Sequence, residues 1–201
     1  MIRIWIVKAE RDLSEREYAA LLPCLPRERQ VRLAAQLPRQ RTEALWAYGL
    51  LLALLRDQYG WAELPPVKRG DTGKPFFPGR PRVHFSISHT EGAAAAAVSD
   101  SPVGVDIQCI RTPPGNLTRL LEQEEPEAFF GVWAQWEARA KRTGTGILNM
   151  IRRRPAVSPG EVCTAVAAFP GYAAAAAGAE TVLPGQVRQL TAEELLRCLD
   201  I

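Results

Sequence analysis

The pattern of apolar and polar positions predicts a strand and then helices in the first third of the chain. The run "IRIWIV" is rich in β-branched and aromatic residues, which favours a first strand, and "SEREYAALLPCL" after it predicts a short helix. Across residues 26–60 the apolar positions recur every three or four residues, as they do along one face of an amphipathic helix. Pro38 predicts a break in this stretch, so we expect one interrupted helix or two consecutive helices.

Three short apolar runs in the middle of the chain predict strands. "VHFSIS", "AAAAAVS" and "VGVDIQ" are separated by "HTEG" and "DSP", a spacing that favours an antiparallel meander. Five alanines between a glycine and "SDSP" are too few for a helix, so we interpret them as a buried strand packed close to a helix. The segment 61–82, rich in proline and glycine, is predicted to be a long connection.

The second half repeats this order of elements. Most of 117–143 has a helical pattern, "EVCTAVAAF" and "AAAAAGA" around "PGY" predict a hairpin, and "TAEELLRCLDI" is a terminal helix or tail. Each half therefore contains a helix followed by a small antiparallel set with an alanine-rich strand. This echo hints at a duplicated architecture, although alanine runs also recur by compositional bias.

Composition places the chain among globular proteins. Its 201 residues are 47% hydrophobic and 23% charged, enough for one domain or two small ones. The charges in "MIRIWIVKAERD" argue against a signal peptide, and Pro170 and Gly171 interrupt the longest apolar tract, which argues against a membrane helix. No CxxC pair occurs, so we expect a reduced, cytoplasmic setting for the four cysteines, Cys24, Cys109, Cys163 and Cys198.

The arginines are unevenly spread although the formal net charge is only +3. An early segment concentrates five of them: Arg27, Arg29, Arg32, Arg39 and Arg41. A basic face of this kind suits nucleic acid, a phosphorylated small molecule or an acidic protein surface, and composition does not choose among these. A small nucleic-acid-binding protein, with the arginines on phosphates and the five tryptophans on bases, is one hypothesis for the chain.

Three polar residues could hold a cation. Asp106 and Gln108 point the same way because side chains alternate along a strand, and their oxygens suit Mg²⁺. The alternative is that Asp106 caps a loop at the end of a strand. Glu137 lies four residues from both Trp133 and Lys141 and shares a helix face with them. Glu137 could complete the cation site, or it could form an ordinary stabilising pair with Lys141 on a helix surface.

Two further positions have the chemistry to bind phosphate. His89 has hydroxyl residues around it in "SISHT", all able to donate to phosphate oxygens, although a structural loop histidine is the alternative. Lys74 stands between the flexible Gly73 and the stiff Pro75, an arrangement that presents an ammonium group from a loop. The signatures of zinc proteases, P-loop proteins and serine hydrolases do not occur in the sequence.

Read in order, "GKP", "FSISHT", "VGVDIQ", "WEARAK" and "PGY" resemble the motifs of the Sfp-type 4′-phosphopantetheinyl transferases. The resemblance implies a pseudo-twofold α+β fold of two similar halves, each an antiparallel sheet with packed helices. Residues 1–100 would form the first half and 101–201 the second, with one active site in the cleft between them. The implied reaction moves the phosphopantetheine arm of coenzyme A to a serine of an apo acyl or peptidyl carrier protein, with Mg²⁺ and with 3′,5′-ADP as the second product.

The resemblance also implies roles for individual residues. Metal binding falls to Asp106, Gln108 and Glu137, and catalysis to Glu137 and Lys141. Contact with coenzyme A falls to Arg41, Lys74, Pro75, Ser88 and His89. We therefore expect a monomer that binds coenzyme A and a carrier protein and that interacts with neither nucleic acid nor membrane.

Three positions depart from the pattern of the family. Gln108 stands where a second acid is usual, Trp136 where a lysine is frequent, and Ser86 where asparagine is usual. An amide oxygen is a weaker ligand than a carboxylate, so we expect a lower affinity for the metal. A non-catalytic relative that binds coenzyme A or a carrier protein is therefore the alternative to an active transferase.

Overall fold

The computed structural model describes residues 1–33, 38–153 and 157–201 and has a mixed α+β architecture. The strands are β1 Arg3–Lys8, β2 Lys68–Arg69, β3 Pro75–Phe76, β4 His84–Thr90, β5 Ala93–Ser99, β6 Gly104–Cys109, β7 Val162–Val166, β8 Tyr172–Gly178 and β9 Val187–Thr191. The helices are α1 Glu15–Leu21, α2 Arg27–Leu33, α3 Pro38–Tyr59, α4 Gly115–Leu121, α5 Pro126–Thr143, α6 Ile147–Arg153 and α7 Ala192–Cys198.

The first sheet has the strand order β4-β5-β1-β9 and packs beneath α3. β1 pairs antiparallel with β5 and parallel with β9. Every residue of the alanine-rich β5 is buried, which confirms the prediction of a buried strand close to a helix. Large side chains fill the core around α3, Trp46, Phe77 and Phe85 among them.

The second sheet has the order β6-β8-β7, is antiparallel throughout and packs against α5. The prediction of a three-stranded meander is therefore wrong for its last strand. β4 and β5 form the expected hairpin, but β6 pairs along its length with β8, through the alanines of that strand and Tyr172, instead of extending the first sheet. Spacing along the sequence favours neighbours, and it carries no signal for a partner strand some seventy residues away.

The order of connections is the same in the two sheets. One begins with β1, α3 and the hairpin β4–β5, and the other with β6, α5 and the hairpin β7–β8. In each set of three strands the alanine-rich second strand of the hairpin lies in the centre. The pseudo-twofold relation of two halves stays a prediction, as does the boundary at residue 100. β9 and α7, from 187 onwards, pack with the first sheet and its core.

Local chemistry explains several boundaries of these helices. Ser14 and Glu17 form a capping box at the start of α1, each satisfying a backbone N–H of the other. The helical pattern predicted across 117–143 divides into α4 and α5, because Glu122 takes the left-handed conformation and Pro126 starts the next helix. Similarly, α3 begins at the predicted break, Pro38, while 34–37 lie outside the described residues. None of the described helices combines the length and apolar character needed to cross a membrane.

Candidate functional site

The two sheets meet along a seam between β4 and β6 in which side-chain hydroxyls take the place of a backbone ladder. The Ser86 hydroxyl accepts a hydrogen bond from the N–H of Val105 at 3.0 Å, and the Thr90 hydroxyl accepts one from the N–H of Cys109 at 3.2 Å. Because side chains alternate along a strand, Ser86, Ser88 and Thr90 all face β6. We call this contact the hydroxyl seam.

Asp106 lies at the middle of the hydroxyl seam, with its side chain 1% exposed. Its Oδ1 accepts hydrogen bonds from the Ser88 hydroxyl at 2.7 Å and from the Lys141 ammonium at 2.6 Å. Its Oδ2 accepts a hydrogen bond from the Gln108 amide at 2.7 Å. A buried carboxylate needs such partners, and the charged hydrogen bond to Lys141 is the strongest of them.

Glu137 lies one helical turn before Lys141 on α5 and faces the same cleft. Within the described part of the chain its carboxylate makes neither a hydrogen bond nor an ion pair. Burial raises the pKa of Glu137 above its ordinary value, the negative charge of Asp106 adds to the rise, and Lys141 opposes it. A carboxylate of this kind can accept a proton from a reacting group more readily than an exposed one.

Close packing of α5 on β6 brings these side chains together. A Cβ atom added to Gly104 would lie 1.9 Å from the carbonyl oxygen of Ala138 and 2.5 Å from the backbone nitrogen of Arg142. The helix therefore rests directly on the strand, with small residues at the contact: Ala134, Ala138, Ala175 and Ala177. This short separation lets Lys141 reach Asp106.

A buried ion-pair cluster holds the opposite side of α5. Glu161, 3% exposed, accepts a hydrogen bond from Arg139 at 2.6 Å and one from Arg142 at 3.1 Å. Arg139 is two residues from both Glu137 and Lys141, a spacing of about 200° around a helix, so the cluster and the two site residues face different ways. The cluster limits rotation of α5 about its axis.

The cleft beside this network has a volume of about 320 Å³. Lys74, Pro75, Glu137 and Lys141 line its walls, which brings four of the predicted site residues together. A larger cavity of about 800 Å³, bounded by Arg11, Glu43, Glu91, Gly92, Cys109 and Tyr172 among others, opens beyond the end of β6. The charged network borders the smaller cleft, and we place the candidate site there.

Lys74 ties the "GKP" loop to the second sheet. Its ammonium donates to the carbonyl oxygens of Val103 at 2.9 Å and Arg142 at 2.6 Å, and burial, followed by the charge of Arg142, lowers its pKa to about 8. Gly144, in the left-handed conformation at the end of α5, lies close against Thr72 of the same loop. An ammonium carries three protons, and the two carbonyls use two of them.

His89 faces α3, on the other side of β4 from Ser88. Its Nδ1 lies 3.4 Å from the Glu43 carboxylate, and 35% of its side chain is exposed. Partial burial lowers the pKa of His89; Glu43 opposes that shift, and the positive charge of Lys141 adds to it. Arg41 lies on the first turn of α3, two residues before Glu43. The predicted pairing of Ser88 and His89 therefore spans both faces of a strand.

Sequence analysis did not identify the hydroxyl seam, Gly104 or Glu161. The alternation in "FSISHT" carries a signal for the hydroxyl seam, because three hydroxyl residues at every second position share one face. For Glu161 there is no local signal, since its partners are 19 and 22 residues away along the chain.

Comparison with known proteins gives several related sequences, although no family model matches the chain. A segment of 129 residues is 32% identical to the 4′-phosphopantetheinyl transferase AcpT of Salmonella typhi and covers 56% of this chain and 65% of that protein. A segment of 120 residues is 28% identical to a 4′-phosphopantetheinyl transferase of Bacillus subtilis, covering 53% and 49% respectively.

A third relative matches over a shorter segment and with a higher identity. The 4′-phosphopantetheinyl transferase psf-1 of Bacillus pumilus is 38% identical over 88 residues, 37% of this chain and 38% of that protein. Each of these matches spans less than two thirds of the relative's length. Together with the order of the five motifs, these partial matches support the interpretation of the chain as a divergent relative of the 4′-phosphopantetheinyl transferases.

Proposed function

We propose that the chain transfers the 4′-phosphopantetheine group of coenzyme A to a serine of an apo acyl or peptidyl carrier protein. One observation carries this proposal: an ammonium group and a carboxylate line the same cleft. The ammonium is that of Lys141, which donates to buried Asp106, and the carboxylate is that of Glu137, one helical turn earlier on α5. The names of the related proteins support the same reaction class.

The proposed reaction needs a base and positive charge, and α5 supplies both. The serine oxygen forms a bond to the phosphorus that carries the pantetheine arm, and its proton passes to Glu137. The bond from that phosphorus to the bridging oxygen breaks, and its electron pair leaves on 3′,5′-ADP. The Lys141 ammonium stabilises the negative charge that develops on the phosphate oxygens. The Ser88 hydroxyl accepts a hydrogen bond from Lys141 and donates one to Asp106, and so it keeps the ammonium in place.

The donor set at Asp106 fits a magnesium ion. Among the described residues, no group of three or more His, Cys, Asp or Glu side chains is arranged to hold a metal. Mg²⁺ is, however, usually held by one or two carboxylates plus substrate phosphates. Burial raises the pKa of Glu137, and the negative charge of Asp106 adds to that rise, so the two carboxylates lie close enough to interact. A flip of the Gln108 side-chain amide, which exchanges its nitrogen and its oxygen, would add that oxygen as a further ligand of the ion. When bound, the ion would neutralise charge on the diphosphate.

Roles in binding coenzyme A belong to the same proposal. Lys74 has an ammonium proton for an anion beyond its two carbonyl partners, and Pro75 would lie against the nucleotide. His89, Ser88 and Arg41 would complete the contacts with phosphate. We further propose a cytoplasmic monomer built from two pseudo-symmetric halves, with the carrier protein approaching the mouth of the cleft.

A non-catalytic relative that binds coenzyme A or a carrier protein is the second candidate. Both carboxylate oxygens of Asp106 already accept hydrogen bonds from N–H donors. Lys141 donates to Oδ1 and Gln108 donates to Oδ2. If these bonds persist when ligand binds, the carboxylate holds no ion, and the chain acts as a binding protein.

Intact-mass analysis of an apo acyl carrier protein, incubated with coenzyme A, Mg²⁺ and this protein, tests the proposal. We expect the carrier to gain the mass of one phosphopantetheine group. Glu137→Gln should slow the transfer by a factor of about 10² to 10⁴, the usual contribution of a positioned base. The matched control is Glu127→Gln, in the exposed first turn of the same helix, which should leave the rate unchanged.

One outcome would contradict the proposed transfer, and another would contradict the role of Glu137 as its base. If several apo carriers gain no mass while coenzyme A binds, the non-catalytic candidate is supported. If transfer occurs at the same rate with Glu137→Gln, the chain is a transferase whose base lies elsewhere.

A further inference from the structure

An acidic side chain, Glu43, stands in line with the buried face of α3. The residues three, four, seven and eleven positions after it are all buried: Trp46, Ala47, Leu50 and Leu54. Residues at these spacings share one face of a helix, so Glu43 is turned towards the sheet, and only 17% of its side chain is exposed. A carboxylate in such a position needs a partner that compensates its charge.

The ring of His89 lies against this carboxylate. Its Nδ1 is 3.4 Å from an oxygen of Glu43, close enough for an ion pair when the ring is charged. His89 belongs to strand β4, where it pairs with Ala94, and the alternation of side chains along the strand turns its ring to α3. Because Nδ1 is turned to Glu43, the other ring nitrogen, Nε2, is directed elsewhere, and 35% of the side chain is exposed.

Charged groups from three of the described helices act on this ring. Glu43 on α3 is the acid, and Lys141 on α5 and Arg29 on α2 are the cations. Glu43 borders the 800 Å³ cavity, whereas the two cations border the 320 Å³ cleft. Asp106 pairs with Ser88 on the opposite face of β4. The ring therefore lies between an acid on one side and cations that attract phosphate on the other.

The protonation of the ring decides what it can bind. A neutral imidazole carries a proton on one nitrogen, whereas an imidazolium carries one on each. If a neutral ring donates from Nδ1 to Glu43, its Nε2 has a lone pair and cannot donate to a phosphate oxygen. Only the imidazolium donates to both at once. Burial lowers the pKa of His89, Glu43 opposes that shift, and Lys141 adds to it, so Glu43 is the group that favours the charged ring.

We propose that Glu43 is a positioning residue, which holds the Nδ1 proton of His89 so that the ring binds a phosphate of coenzyme A through Nε2 as an imidazolium. This rests on the proposed function, because it takes coenzyme A as the ligand. Glu43 acts only through His89 and does not touch the ligand. Binding of coenzyme A is then linked to the protonation of one histidine.

Nuclear magnetic resonance on the full chain tests the contact without any ligand. His84 and His89 are the two histidines of the sequence, so their ring signals can be followed separately as the pH changes. We expect the pKa of His89 to fall in Glu43→Gln, which removes the negative charge and keeps an oxygen acceptor for Nδ1. His84, at the other end of β4, is the internal reference, and its pKa should not change.

Isothermal titration calorimetry with coenzyme A tests the consequence for binding. At pH 7.5 we expect Glu43→Gln to lower the affinity about fivefold, the difference between a charge-assisted and a neutral hydrogen bond. The ring of the variant has the lower pKa and becomes charged only at a lower pH, so the loss should shrink as the pH falls towards 5. Glu10→Gln is the matched control, because Glu10 lines the same cavity and pairs with Lys8, and its affinity should stay within about twofold of the unmodified chain at every pH.

The outcomes separate this inference from the proposed function. A lowered pKa of His89, together with a loss of affinity that shrinks at low pH, supports the role of Glu43. An unchanged pKa of His89, an unchanged affinity at pH 7.5 or a loss of the same size at every pH overturns that role and leaves the proposed function intact, because Glu43 then only ties α3 to β4. If the unmodified chain does not bind coenzyme A, the proposed function fails and the role of Glu43 fails with it.

Discussion

The two sheets are covered by helices in different ways. Over the first sheet, α3 contributes large side chains to a broad core, with Trp46, Leu50 and Leu54 fully buried. Over the second sheet, α5 meets β6 and β8 through alanines, and the cluster of small residues at this contact is much smaller. The same order of strand, helix and hairpin therefore has two kinds of interface.

Small residues at the second interface set the distance on which the site depends. Bulky side chains keep helix and sheet about 10 Å apart, whereas glycine and alanine let the backbones approach. At Gly104 there is no space for even a methyl group. Large residues stabilise the contact of α3 with the first sheet, and small residues at the contact of α5 with the second sheet bring Lys141 within 2.6 Å of Asp106.

The largest expected effect comes from adding one methyl group at the contact between α5 and β6. Gly104→Ala places its Cβ against backbone atoms of α5, which only a shift of the helix can relieve. We expect a loss of about 3 kcal/mol in the free energy of unfolding, and loss of transfer, because Lys141 moves away from Asp106. Chemical denaturation measures the free energy of unfolding, and intact-mass analysis of the carrier protein measures the transfer.

Gly49→Ala is the matched change in α3. Its Cβ would meet the ends of flexible leucine side chains, Leu21 at 2.8 Å and Leu199 at 3.3 Å. The helix preference of alanine, about 1 kcal/mol, offsets that contact, so we expect a net change within about 1 kcal/mol. Equal effects of the two alanines would contradict the distinction between the interfaces.

A smaller effect is expected from breaking the hydroxyl seam. Ser86→Ala leaves the buried N–H of Val105 without its acceptor, which should lower the free energy of unfolding by about 1–2 kcal/mol. The seam also fixes the backbone next to Asp106, so transfer should slow in the same variant.

Ser101→Ala serves as the control for the seam, because that hydroxyl lies partly exposed in the loop between β5 and β6. We expect it to change stability by less than about 0.5 kcal/mol. If both variants lose the same stability, the seam does not hold the sheets together.

The smallest effect concerns Lys74 and depends on pH. Its pKa is lowered from 10.5 to about 8 in the folded chain, so between these values the unfolded chain binds more protons at this position. Stability must then rise with pH across that window. The free energy of unfolding of the unmodified chain, relative to Lys74→Met, should therefore increase between pH 8 and pH 10.

Denaturation at several pH values measures this difference, with the exposed Lys68→Met as control. A difference that stays constant, or that falls as the pH rises, would show that Lys74 is not held as a buried cation between the loop and α5.

Sequence analysis succeeded where the decisive contacts are local. The alternation in "VGVDIQ" placed Asp106 and Gln108 on one face, and the Gln108 amide does donate to Asp106. Four-residue spacing placed Glu137 and Lys141 on one face of α5, and both border the cleft. Periodicity of side-chain direction follows directly from backbone geometry, so such inferences need no knowledge of the fold.

It failed where the outcome depends on distant partners. β6 was assigned to the wrong sheet, because its partner β8 lies far along the chain. The short strand β9 was not predicted, since "VRQLT" lacks the apolar run of a buried strand and is stabilised by pairing with β1. Even Lys141 and Asp106, 35 residues apart, meet only because Gly104 lets α5 approach.

The parallel pairing of β9 with β1 affects how the chain folds. Ile4 pairs with Val187, so the first sheet gains its last strand only after all the strands of the second sheet have been made. Until then one edge of β1 has unpaired backbone groups, and Trp5 lacks the Arg188 guanidinium that stacks on it. Contacts this distant in sequence form late and slow the folding of a domain. On the ribosome, the first sheet is therefore completed only after the strands of the second sheet have emerged.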